Sequence, residues 1–187
     1  MGLFFTETAK KLLFLRNEMF KEVGIPELKR NGFIKAVFSS INFGRNNLGD
    51  FTYNITRLSD GNLEYLTIHI CRGDKSIQVY LNIFELFPKP NSIDDLVGVD
   101  GIQFLLSPNN RKEFLLRSDE YKGPPIFYSF HPEHKIGTYY TRSGLDKEVL
   151  KLRNLIKKDM SNIDYFVKKW HEVHIPNKTD WEGNILE

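Results

Sequence analysis

Residues 50–87 read DFTYNITRLSDGNLEYLTIHICRGDKSIQVYLNIFELF, and their turn chemistry decides the fold. Asp60-Gly61 is the two-residue signature of a tight hairpin, and Gly73-Asp74 reads as a second two-residue hairpin turn. Folding about the first turn sets Ile55 opposite Leu66, Tyr53 opposite Ile68 and Phe51 opposite Ile70. Folding about the second sets Ile70 opposite Ile77, Ile68 opposite Val79 and Leu66 opposite Leu81. Side chains alternate along a strand, so these apolar residues share one face. The other face carries three rows, Thr52–His69–Gln78, Asn54–Thr67–Tyr80 and Thr56–Tyr65–Asn82, which are polar but uncharged. A one-residue slip would turn every apolar side chain to the wrong face. The register also sets Arg57 against Glu64 and Leu58 against Leu63, cross-strand pairs worth about 0.2–1 kcal/mol each.

Working outward, Thr6 is placed to cap a helix running to about Val23, with Gly24 ending it. Pro26 starts one further turn, and a first strand is expected from Phe33 to about Phe43. Pro88 and Pro90 end the meander, and Ser92 with Asp94 and Asp95 predicts a short capped helix stopping at Gly98. Gln103 to Leu106, Glu113 to Arg117 and Pro125 to Phe130 read as short strands separated by turn residues. Val149, Leu152, Ile156, Met160, Ile163, Val167 and Trp170 then recur at helical spacing. They predict one long helix behind a Ser143–Asp146 cap, with a bend allowed at the weak helix formers Ser161, Asn162 and Asp164. The expected fold is α+β: an antiparallel β-meander of four or more strands packed against an N-terminal helix and a long C-terminal helix. It forms a single domain over residues 1–187, with a loosely wrapped polar tail over 176–187.

A chain of 187 residues with 41% hydrophobic and 13% aromatic residues is long and apolar enough to bury a sizeable core. Its net charge of +2 gives no global electrostatic footprint for nucleic acid. The single cysteine, Cys71, excludes an intramolecular disulfide framework and a cysteine-rich zinc site. Lys10, Lys11, Arg16 and Glu18 interrupt the N-terminal apolar residues, so no secretory signal is read there. No apolar run spans a bilayer, and a cytoplasmic location without a membrane partner is expected. Met1-Gly2 with Thr6 matches an acylation pattern of low specificity.

Four histidines form two H-x-x-H pairs, His131 with His134 and His171 with His174. Such a pair on a helix shares a face, and two pairs meeting in space offer four nitrogens to zinc in a metal-dependent or other hydrolytic enzyme. Surface histidines near a helix C-terminus, where the dipole favours cations, are the plainer reading. Arg72-Gly73-Asp74 spells an adhesion tripeptide, although a tight turn wants Gly and Asp for backbone reasons alone. No nucleophile elbow, phosphate-cradling loop or dinucleotide fingerprint occurs, and no cofactor is implied. An RNA-binding sheet requires aromatic platforms flanked by cations. The polar face offers Tyr65 and Tyr80 but no Lys or Arg, so nucleic acid is disfavoured. Thr52, Asn54, Tyr65, Thr67, His69, Gln78, Tyr80 and Asn82 are instead the candidate partner-binding surface, rich in hydrogen bonds and free of charge-desolvation cost. Ordinary solvation, or a second layer covering the face, is the structural alternative.

The segment Leu28-Lys29-Arg30-Asn31-Gly32-Phe33-Ile34-Lys35, leading into Phe38, resembles the helix, G-F-x-K, strand opening of a family of uncharacterised small bacterial domains. Members of that family look like immunity or accessory proteins of polymorphic toxin systems. The resemblance covers roughly the first half of the chain. It implies a non-enzymatic, protein-binding function and carries over no catalytic residues.

Overall fold

The computed structural model describes residues 5–186, with backbone alone at 128–130, so the Met1-Gly2 pattern lies outside the described residues. Helices α1 (Ala9–Met19) and α2 (Ile25–Arg30) lead into two short strands, β1 (Ile34–Lys35) and β2 (Phe43–Arg45). Three long strands follow, β3 (Phe51–Ser59), β4 (Asn62–Ile70) and β5 (Gln78–Leu86). After β6 (Phe114–Leu115) come helices α3 (Arg142–Ser161) and α4 (Ile163–Val173), and β7 (Asn177–Thr179) closes the order. The seven strands form one sheet in the order β1-β3-β4-β5-β6, with β2 also on β3 and β7 also on β5. Among the described residues only β7 runs parallel to its neighbour.

The meander has the register its turns demand. Ile55 faces Leu66, Tyr53 faces Ile68 and Arg57 faces Glu64; Leu66 faces Leu81 and His69 faces Gln78. Asp60 and Gly61 sit at φ 52° and 86°, as a type I′ turn requires. The second reversal is a wider loop, because the ladder stops at His69 and Gln78. That loop is gripped from α1 by the fully buried Arg16, whose Nη1 and Nη2 donate to the carbonyls of Ser76 (2.5 Å) and Cys71 (3.1 Å). Burial pushes the Arg16 pKa down, with the nearby Asp74 acting against it.

The apolar face of the sheet is covered by all four helices, which bury Leu13, Phe20, Leu28, Ile156, Phe166 and Trp170 against it. Here the helices depart from expectation in two places. Thr8, not Thr6, caps α1, accepting a hydrogen bond from the Lys11 amide. Gly24 does not end the helix, which widens into a π-turn over Phe20–Gly24 and runs on into α2. The missing side chain is what permits this, since a Cβ on Gly24 would lie 2.5 Å from the Phe20 ring. The long C-terminal helix is α3, capped by Thr141 rather than Ser143. Asn162 leaves helical geometry at φ −117° and ψ 37°, and the apolar stripe continues in α4.

The expected first strand is broken. β1 and β2 both pair with β3, while residues 36–42 leave the ladder so that Ala36, Phe38 and Ile41 can pack on the sheet's second face. The segments read as strands after Pro88 also differ. Gln103 to Leu106 and Pro125 to Phe130 fall in 3-10 turns, and Glu113 to Arg117 shrinks to β6. Phe104 explains the first change: its ring wedges between Phe38 (5.2 Å) and Phe84 (4.8 Å), a position reached from a turn. Ser92 and Asp95 form the expected capping box. The polar tail is no loose wrap. Thr179 is fully buried in β7 and the Trp181 indole donates to the Pro88 carbonyl at 2.6 Å. No helix among the described residues is long and apolar enough to cross a membrane.

Candidate functional site

The second face of the sheet is largely covered. Thr52, Asn54, Tyr65, Thr67 and Asn82, five of the candidate docking residues, are buried and present no surface to a partner. The reason lies in the layer of turns above them, which supplies backbone partners for Asn54 and Asn82. Asn54 Nδ2 donates to the Asn42 carbonyl (3.0 Å), Thr67 Oγ1 to Asn54 Oδ1 (3.2 Å) and Asn82 Nδ2 to the Asn109 carbonyl (2.9 Å). Asn109 is itself the hub of this layer. Its amide donates to the carbonyls of Gln103 (3.0 Å) and Gly183 (2.7 Å), and its Oδ1 accepts from Asn177 (3.0 Å). Three buried hydroxyls lack a hydrogen-bond partner among the described residues: Thr179 Oγ1, and Thr56 Oγ1 and Tyr65 Oη, whose residues face one another across β3 and β4. Burial drives the Tyr65 pKa far upward, and the Glu113 charge adds to the effect.

His69, Gln78 and Tyr80 remain partly exposed at the far end of the same face. The His69 and Tyr80 rings meet edge-on at 6.0 Å, and burial lowers the His69 pKa, favouring the neutral imidazole. β6 extends this open strip, with Leu115 opposite Tyr80 and Glu113 one step beyond the ladder beside Asn82. Burial raises the Glu113 pKa. Burial, followed by the charges of Glu113, Asp119 and Asp74, raises that of Tyr80. Glu113 escapes a reading of the meander because its only signal is the alternation of a two-residue strand. Asp74 of the adhesion tripeptide is committed to its own turn, accepting from the Ser76 amide (2.9 Å), the Ser76 hydroxyl (2.8 Å) and Gln78 (3.1 Å).

The histidine pairs do not come together, and among the described residues no three His, Cys, Asp or Glu side chains are placed to hold a metal. His134 turns inward, its Nε2 2.7 Å from Asp159 Oδ2 on α3. Arg117 approaches the same carboxylate through Nε (2.7 Å) and Nη2. Arg117 holds this fork from a left-handed backbone, φ 73°, a strained conformation for a long side chain. Burial pushes the Asp159 pKa up, but the hydrogen bonds from Arg117 and His134 outweigh it and hold the carboxyl below its ordinary range. His131 stacks near Tyr121 at 5.0 Å, with Nε2 3.9 Å from Glu120. His171 and His174 flank the buried Trp170 ring instead, each centroid at 5.2 Å. His134 therefore braces its loop against α3, His131 lies beside Glu120 and Tyr121, and the second pair flanks Trp170 at the end of α4.

No family model, curated protein or solved structure matches the chain. The functional reading rests on its own residues.

Proposed function

We propose that this chain is a non-enzymatic protein-binding module, an immunity-type inhibitor of a bacterial toxin, docking through the open end of its polar sheet face. The observation that carries the reading is Tyr80, partly exposed on a strand paired along both edges and met edge-on by His69. Tyrosine brings a large, rigid, amphipathic contact at small entropic cost, which is why it recurs among interface anchors. A neutral His69 and the Gln78 amide add hydrogen bonds with little desolvation cost. The ladder fixes all three before a partner arrives, lowering the ordering cost of association. Nucleic acid fits this strip poorly, because Glu113, Asp119 and Asp74 put negative charge near Tyr80 where phosphates would lie.

The test is co-expression with any toxin found encoded beside the gene, read as growth and as complex formation with the purified pair. Tyr80→Ala and His69→Ala should keep the melting temperature while weakening the complex tenfold or more. Full protection and unchanged affinity in both variants would remove this reading.

A further inference from the structure

At the opposite end of β5 from Tyr80, the chain forms a second concave surface of different chemistry. A cleft of about 600 Å³ opens between Phe87-Pro88, the turn at Val99-Asp100 and the tail at Asp180–Glu182. Its floor is apolar: Phe87 is 55% exposed, with Pro88 and Val99 beside it. Its rim carries Asp100, Asp180 and Glu182, none in a salt bridge among the described residues. A local excess of carboxylates runs against the net charge of +2 for the whole chain. Lys178 places its ammonium 4.4 Å from the Phe87 ring centroid, one cation against the three carboxylates of the rim.

The walls are set in advance. Trp181 Nε1 bonds the Pro88 carbonyl (2.6 Å), the Phe87 amide bonds the Thr179 carbonyl (2.8 Å), and Asp180 accepts the amides of Glu182 (3.0 Å) and Asn184 (2.8 Å). A prearranged cleft with an aromatic floor and an anionic rim complements a cation joined to an apolar group. We infer that it binds a basic peptide segment of a protein partner, in which an arginine or lysine is neighboured by a large apolar residue. The apolar side chain lies on Phe87, and the cation meets Asp100 and Glu182. Phosphate-bearing ligands are repelled by the same rim. The seven-residue rise from Tyr80 to Phe87 puts this surface roughly 23 Å from the Tyr80 strip, so the two are separable.

Fluorescence anisotropy with two labelled synthetic peptides tests the inference, one alternating arginine with leucine and the other glutamate with leucine. The arginine peptide should bind the intact chain, and more weakly as salt is raised. Its affinity should fall tenfold or more in Asp100→Asn combined with Glu182→Gln, and again in Phe87→Ser, at unchanged melting temperature. Tyr80→Ala should leave it unaltered. Equal binding of the glutamate peptide, retained affinity in the rim and floor variants, or no binding of the arginine peptide at low salt would each overturn the inference.

Discussion

Replacing Asp159 with alanine should cost this protein more than any comparable change to an acidic side chain at its surface. The carboxylate is 2% exposed and accepts from Arg117 Nε, Arg117 Nη2 and His134 Nε2. Truncation removes the acceptor but leaves the donors, a guanidinium side chain 17% exposed and an imidazole 3% exposed. Arg117 keeps Glu120 at 3.5 Å, but losing the shared buried carboxylate still costs about 3 kcal/mol, against a total stability of about 5–15 kcal/mol for a domain. Asp164→Ala is the control. It also pairs with an arginine, Arg57, but its side chain is 68% exposed, and such pairs contribute about 1 kcal/mol or less. Urea unfolding at neutral pH measures both. The pH dependence has a definite sign, because the folded pKa of Asp159 is depressed. Its contribution is complete above the ordinary carboxylate value near ~4 and is lost as pH falls through the folded value. The difference between wild type and Asp159→Ala should therefore shrink in acid. A cost below about 1 kcal/mol at neutral pH, or a gap that widens on acidification, would refute this account.

Three further outcomes follow from other contacts. Tyr65→Phe deletes a buried hydroxyl without a partner among the described residues, so stability should stay unchanged or rise by about 1 kcal/mol; a loss of that size by urea titration would reveal a hidden partner. Asn109→Asp keeps the shape but turns an amide donor into an oxygen facing the Gln103 and Gly183 carbonyls. It should cost upwards of about 2 kcal/mol and speed amide exchange across 177–186, whereas unaltered exchange there would count against the hub. Arg16→Met removes a buried charge while keeping much of the volume, so global stability should change little. Hydrogen exchange in the 71–77 loop should rise sharply, since the grip on Ser76 and Cys71 is gone; a loop as protected as wild type would contradict that role.

The meander was legible because everything that sets it is local. Asp60-Gly61 and two-residue alternation fix the register without knowledge of the rest of the chain. The layer over the second face was not, since Phe104 meets Phe38 and Phe84, and Asn109 meets Gly183, through contacts distant in sequence. The same limit governs the candidate site. A row such as Asn54–Thr67 is equally suited to water or to a covering loop, and only the Asn42 carbonyl distinguishes them. The Arg117–Asp159–His134 cluster likewise has no spacing to announce it, its members lying on a loop, a helix and a second loop.

The polar side of the sheet has one more consequence. A one-residue slip is forbidden by hydrophobicity, but a two-residue slip of one strand past another keeps every apolar group on its own face. Burial alone hardly tells those alignments apart. What separates them, beyond the Asp60-Gly61 turn, is the set of matched contacts: Thr67 on Asn54 at 3.2 Å and Asn82 on the Asn109 carbonyl at 2.9 Å on the polar side, and Arg57 on Glu64 at 2.6 Å on the helix-covered side. In this domain the greasy packing supplies adhesion, while the tight turn and the matched polar pairs on both faces supply alignment.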